Sequence, residues 1–280
     1  MAKKILVTGS DGYIGRYAVK ALLDAGAEVI AADVRATTAD PRAQLRMVDI
    51  FEDDAEAFEH LGKPDACLHL AWRNGFVHNA STHMEDLSAH ARFIRHMLEG
   101  GLKQIAVMGS MHEIGYYEGA VDEHTPCNPR SMYGISKDAL RRFCFLQAAS
   151  TGAQLQWLRA YYIYGDDQKN NSIFCKILTA VQEGKTEFPF TTGKNQYDFI
   201  TVEELGKQLA ACVLQTKVDG IINCCSGRPV SLGEQVEGFI RQQKLPIALK
   251  YGAFAERAYD SPAIWGNADK IHQIMAQAKG

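Results

Sequence analysis

The sequence predicts an α/β fold, a doubly wound parallel sheet with a smaller C-terminal α/β lobe. Three observations predict it. Short, continuous apolar runs alternate with helical periodicity through residues 1–165. The first run ends in a glycine-rich turn that opens a helix, and the second run ends in an acid. After residue 165 the strict alternation stops and a loop-rich stretch with its own helices follows.

The elements follow in order. Residues 4–8, Lys-Ile-Leu-Val-Thr, are too short and too β-branched for a helix and read as a strand. A helix runs through Tyr17, Ala18 and Val19 to Leu22 and Leu23, and Gly26 stops it. Residues 28–33 form the second strand, 45–49 a third, and 51–60 a short acidic helix. Residues 66–70 are a fourth strand, 85–99 a long helix and 104–108 a fifth strand. A helix over 133–149 and a sixth strand over 155–159 complete the first half. Beyond it, helices are expected over 173–182, 203–214, 232–242 and 269–278, with a strand over 220–225. No linker or repeat separates the halves, so 1–165 reads as one domain and 166–280 as a lobe interleaved with its sheet.

Composition narrows the class. The chain has 280 residues, 46% of them hydrophobic and 22% charged, as in ordinary globular proteins. A net charge of −3 leaves no basic field for nucleic acid or an anionic membrane. Apolar runs stop short of the roughly 20 residues that a membrane span needs. The N-terminus enters a strand at once, so no cleavable signal is expected. Seven cysteines without metal-ligand spacing read as reduced thiols of a cytoplasmic protein, with the adjacent Cys224 and Cys225 packing a strand.

Thr8-Gly9-Ser10-Asp11-Gly12-Tyr13-Ile14-Gly15 lies between the first strand and the first helix. Gly9 permits the tight turn and Gly12 lets a phosphate approach the backbone. Gly15 lets the helix pack close to the sheet with its N-terminal amides facing the anion. Asp33 follows 18 residues after Gly15, at the end of the second strand, where a carboxylate accepts hydrogen bonds from an adenosine ribose. Together these features predict a Rossmann dinucleotide site. Asp49, ending the third strand, is placed either at the adenine amino group or in solvent.

Tyr133 and Lys137, four residues apart, share one helix face. An ammonium near a phenol favours phenolate and brings its pKa, ordinarily about 10, toward neutrality. Adding His69-Leu70-Ala71, Leu158-Arg159 leading to Tyr164-Gly165, and Asp198-Phe199-Ile200 with Val202, the chain resembles the extended short-chain dehydrogenase/reductases over nearly its whole length. It is similar to their nucleotide-sugar epimerase/dehydratase/reductase group. Thr191-Thr192-Gly193 and the ending Tyr251-Gly252-Ala253-Phe254 look most like 4-keto-6-deoxyhexose reductases.

The resemblance implies NAD(H), with NADP(H) as the other option because Arg16 and Arg35 stand near Asp33. It implies that Lys137 holds the nicotinamide ribose and that Tyr133 is the general acid or base on a sugar oxygen. Tyr13, Ile14, Ile50, Leu70, Ala71 and Trp72 then line the cofactor. The C-terminal lobe holds the nucleoside diphosphate of a nucleotide-sugar substrate, and a homodimer is expected. The leading function is reduction of a nucleotide-linked 4-keto-6-deoxy sugar. A nucleotide-sugar epimerase and a non-catalytic dinucleotide sensor are the alternatives.

The chain departs from the family pattern in two places. Met111 stands where the family has a serine or threonine hydroxyl, so Ser110, one residue earlier, or another group such as His112 or water takes that role. His112 also replaces the acid that dehydratases place there, which makes dehydration an unfavoured outcome. Tyr162 and Tyr197 replace an asparagine near the nicotinamide and an arginine near the nucleotide. Arg257 is the remaining cation for a diphosphate, or a surface charge. Trp72 and Arg73, after the fourth strand, face either a sugar or the core. Asn171 either caps a helix or contacts the nucleotide sugar. His78, His83, His90 and His96 lack the partners for a metal set, so no metal is expected.

Overall fold

A computed structural model of the chain describes residues 2–35, 37, 40–165, 172–255 and 260–278. The first half begins β1 (Lys4–Thr8), α1 (Gly15–Asp24), β2 (Glu28–Asp33), β3 (Gln44–Met47), α2 (Ala57–His60) and β4 (Ala66–His69). It continues α3 (Thr82–Glu85), α4 (Leu87–Glu99), β5 (Gln104–Ser110) and a 3-10 turn (Met111–Glu113). Then come β6 (Gly119–Val121), α5 (Met132–Thr151), β7 (Gln154–Ala160) and β8 (Tyr162–Tyr164). The second half holds α6 (Ile173–Gln182), β9 (Glu187–Pro189), β10 (Gln196–Thr201), α7 (Val202–Leu214) and β11 (Gly220–Cys224). It ends β12 (Pro229–Ser231), α8 (Leu232–Gln242), β13 (Ala248–Lys250), β14 (Ala263–Gly266) and α9 (Asp269–Gln277).

The main sheet has seven strands in the order β11-β7-β5-β4-β1-β2-β3, and every pairing in it is parallel. Strand side chains alternate between its faces. Ile5 and Val7 join Ala18, Leu22, Leu205 and Ile271 on one side, while Leu6 joins Phe93, Ile94 and Leu140 on the other. Burial on both faces is why these strands read as continuous apolar runs. The chain order reverses direction across β1 and β4, so their carboxyl ends open a crevice at the switch point. A smaller sheet, β12-β10-β14-β6 with β8 on β10, joins β6 and β8 of the first half to strands of the second, and β9 pairs β13 separately. Among the described residues, no helix is long and apolar enough to cross a membrane.

The structure corrects three element boundaries. The expected helix over 51–60 is helical only over Ala57–His60, because Asp49 and Asp54 side chains tie the preceding residues into turns. The helix expected over 85–99 is two helices that meet at Asp86. The seven strands β6, β8, β9, β10, β12, β13 and β14 are not expected from the sequence, since most are only three residues long and they lie outside the strand–helix alternation of the main sheet. Cys224 and Cys225 do pack the core, both fully buried.

Candidate active site

The glycine turn lies at the carboxyl end of β1. Gly9 has a φ of +68°, and a Cβ there would stand 2.6 Å from the Ala71 amide nitrogen. A Cβ on Gly15 would stand 2.0 Å from the Gly9 carbonyl oxygen. Only glycine allows the turn to close against both β4 and α1. Ile14 at the N-cap of α1 offers no side-chain acceptor, and no acid lies in the helix's first turn. That helix start is suited to an anion. Asp33 ends β2 and is partly exposed, with Oδ2 accepting the Asp11 amide at 3.0 Å and Oδ1 the Arg35 amide at 3.4 Å. The cradle therefore fits a dinucleotide: glycines where a diphosphate approaches, and a carboxylate one strand away for a ribose. Tyr13 donates its hydroxyl to the Gly165 carbonyl at 2.5 Å. Ile14 and Ile50 pack against the two core clusters. Asp49 is exposed, and its Oδ1 accepts the Phe51 amide at 2.9 Å. Leu70 and Ala71 hang from Thr8, through its carbonyl and its hydroxyl respectively.

Tyr133 and Lys137 lie on the first turns of α5, whose N-cap Ser131 accepts the Gly134 amide at 3.1 Å. Gly134 lets this helix dock on the 3-10 turn. A Cβ there would stand 2.3 Å from the His112 carbonyl oxygen. The docking brings Tyr133 beside Ser110, at the end of β5, so that the Ser110 side chain bears on the phenol. Met111, by contrast, is buried in the core. Burial pushes the Tyr133 phenol up to about 12, the Ser110 side chain opposes that rise, and the Glu113 carboxylate adds to it.

Lys137 is buried, and its Nζ donates to the Met108 carbonyl at 2.8 Å. Burial lowers its pKa to about 7, against the opposing pull of Glu113 and Cys144. Tyr133 is ringed by imidazoles. His78 stacks on it with centroids 5.7 Å apart, His83 lies at 5.2 Å and His112 at 5.9 Å. His78 and His112 are themselves 4.2 Å apart. Burial lowers the His78 and His112 pKa values, His112 to about 3, so both rings are neutral near neutral pH.

Glu113 faces away from the reacting position. Its Oε1 accepts the Ser110 amide at 2.6 Å, and both oxygens accept Trp157 Nε1 at 3.0 Å. Arg159 and Arg141 approach its Oε2 at 3.6 and 3.7 Å. Burial raises its pKa, the two arginines and these hydrogen bonds opposing. This acid is fully committed inside the fold.

Other expected site residues fall as follows. Arg73 pairs bidentately with Asp86, its Nε at 2.7 Å from Oδ2. Tyr197 and Tyr162, the two departures from the family pattern, stack on each other at 4.2 Å, and Asn195 donates to the Tyr197 hydroxyl at 3.1 Å. Asn171 and Arg257 lie outside the described residues. Among the described residues, no group of His, Cys, Asp and Glu could hold a metal. Sequence reasoning missed His78 beside Tyr133, weighing the histidines only as metal ligands. No local signal marks it, because a loop carries it there.

A glycine turn and a Tyr-x-x-x-Lys pair that meet at the carboxyl edge of a doubly wound sheet define an oxidoreductase of the extended short-chain dehydrogenase/reductase class. The profile of the NAD dependent epimerase/dehydratase family matches residues 5–225, and the chain belongs to that family. It is 44% identical over 269 residues to a dTDP-6-deoxy-L-talose 4-dehydrogenase (NAD(+)) of Aggregatibacter actinomycetemcomitans, covering 94% of this chain and 98% of that one. Among solved structures it is similar to a UDP-N-acetylglucosamine 4-epimerase from Methanobrevibacter ruminantium M1, with a TM-score of 0.84 at 20% identity, covering 98% of this chain and 92% of the other. It is also similar to a dTDP-glucose 4,6-dehydratase from Streptomyces venezuelae with NAD bound, with a TM-score of 0.81 at 19% identity, covering 96% and 90%. At such identities these structures bear on the fold alone.

Proposed function

We propose that the protein is an NAD(H)-dependent oxidoreductase of a nucleotide-linked 6-deoxyhexose, interconverting the C4 alcohol and the 4-ketone. The observation that carries this reading is the 44% identity, over nearly the full length of both chains, to a dTDP-6-deoxy-L-talose 4-dehydrogenase. The commitment of Glu113 inside the fold supports it from the structure, because that carboxylate is held by the Ser110 amide and the Trp157 indole instead of being available for a dehydration.

A nicotinamide held there would supply the hydride acceptor for the C4 alcohol or the hydride donor for the 4-ketone. Tyr133 moves the proton. With its pKa at about 12 it rests as a phenol, ready to give that proton to the ketone oxygen as the alcohol forms. In the opposite direction Tyr133 takes the hydroxyl proton. Ser110, held by its backbone on Glu113, is the donor beside it and steadies the same oxygen. Lys137 supplies the cation that holds the nicotinamide ribose. Asp33 accepts from the adenosine ribose, which favours NAD(H) over a 2′-phosphorylated cofactor. The described residues after Gly165 are the part of the chain that would receive the nucleotide.

The test is incubation with NAD(+) and dTDP-6-deoxy-L-talose, reading reduced cofactor by absorbance and the sugar by NMR. The reading expects one reduced cofactor per 4-ketone formed. Conversion to a C4 epimer with no net reduced cofactor would make the protein an epimerase.

A further inference from the structure

Lys137 has an unusual counterpart. Its ammonium is buried, yet among the described residues no ion pair joins it to a carboxylate. Glu113, the nearest buried acid, is matched instead to Arg141 and Arg159. What Lys137 meets, besides the Met108 carbonyl, is the indole of Trp72. Its Nζ stands 3.6 Å from the Trp72 ring centroid, against 5.8 Å from the Tyr133 ring.

Trp72 is held from several sides. His90 stacks on it with centroids 4.5 Å apart and planes 13° from parallel. An ammonium at 3.6 Å and an imidazole at 4.5 Å from one centroid would collide on the same face, so they occupy opposite faces. The indole N–H donates to His83 Nδ1 at 3.0 Å, and His83 Nε2 donates in turn to the Val77 carbonyl at 3.0 Å. Behind His90, a buried chain runs through His69 at 3.0 Å to the Thr8 hydroxyl at 2.8 Å. Burial keeps His69 and His90 neutral, so neither competes as a cation for the indole.

We propose that Trp72 is a positioning residue for the catalytic lysine: its indole face, clamped from behind by His90, holds the Lys137 ammonium in place of a carboxylate. The quadrupole of the ring attracts the cation and favours the protonated form. A neutral plate leaves the ammonium's charge unspent, whereas a carboxylate would neutralise it beside Tyr133. The charged and titratable groups around Lys137 are Tyr133 and Cys144 on its own helix, Glu113 on the 3-10 turn, and His69 and His90 behind the indole. None of them is removed by changing Trp72.

The inference rests on the proposed role of Lys137 at the cofactor, so its test needs no sugar. NADH binding is measured against pH for wild type, Trp72→Phe and Trp72→Leu. Wild-type affinity should fall as pH rises through about 7 and Lys137 loses its proton. Losing the ring in Trp72→Leu should move that fall to lower pH by on the order of one unit. Trp72→Phe, which keeps a π face, should restore most of it. A Trp72→Leu that weakens binding equally at every pH, or leaves it unchanged, overturns the proposal, because a padding residue would do the same. Tryptophan emission provides an independent reading of the contact in the whole protein. Lys137→Met should change the emission of wild type but not that of Trp72→Phe. Equal changes in both backgrounds would overturn the contact. NADH that binds at no pH would count against the cofactor reading, and the emission comparison would still decide on the contact.

Discussion

Glu113 and Ser110 hold each other at the end of β5: the Glu113 carboxylate accepts the Ser110 amide at 2.6 Å, and the Ser110 side chain caps the turn that carries Glu113. The same carboxylate lies against the fully buried Arg159. Glu113→Ala leaves that guanidinium without a counter-charge and should cost about 3–5 kcal/mol in urea denaturation. Glu113→Gln keeps an acceptor for Ser110 and should cost less. A loss below about 1 kcal/mol in Glu113→Ala would mean that Arg159 finds another partner.

Tyr133→Phe removes only the hydroxyl. The turnover number should fall by about 10²–10⁴-fold while NADH affinity holds. Undiminished turnover would show that the phenol is not the proton carrier.

Ser110→Ala removes the donor that opposes the rise of the Tyr133 pKa. Turnover should fall on the order of 10²-fold, and any pH limb due to Tyr133 should move upward. Near-normal turnover would shift attention to His112, whose ring lies 5.9 Å from that of Tyr133.

His69 and His90 are buried, and burial depresses both pKa values, His69 to about 3. The unfolded chain protonates them near 6.5, so the unfolded state binds more protons as pH falls. The stability due to their neutral forms is full above about pH 6.5 and is lost progressively toward pH 3. Urea midpoints measured between pH 7 and pH 4.5 should fall, and His90→Phe should flatten that fall. Equal slopes in both proteins would contradict this assignment.

Much of this architecture was legible in the sequence because the main sheet is buried on both faces. Strands such as β1 and β2 are continuous apolar runs, and the bounds of β1, β2, α6 and α8 match the sequence reading. The Gly9–Gly15 turn, Asp33 and the Tyr133–Lys137 pair were legible because their spacing is local. The second sheet was not. Asp198 was recognisable as part of a motif, but its task is to accept the Ser226, Gly227 and Gly266 amides at 2.8, 2.9 and 3.2 Å. That contact set depends on strands distant in sequence. The surroundings of Tyr133 and Lys137 were hidden for the same reason. Trp72 and His78 arrive from the connection between β4 and α3 and His112 from the 3-10 turn, and how they meet Tyr133 and Lys137 is a matter of tertiary packing. Gly134 sat in plain view inside the Tyr-x-x-x-Lys motif, but its need to be glycine appears only when α5 meets the His112 carbonyl.

In the proposed reaction, hydride leaves the sugar C4 for a cofactor that is then released. Transfer from dTDP-6-deoxy-L-talose carrying deuterium at C4, with NAD(+) in excess, tests it most directly. The account predicts that the label appears in free reduced cofactor, in equal amount to a 4-ketone that has lost it. Label retained at C4 of an inverted sugar, with no labelled cofactor in solution, would contradict it.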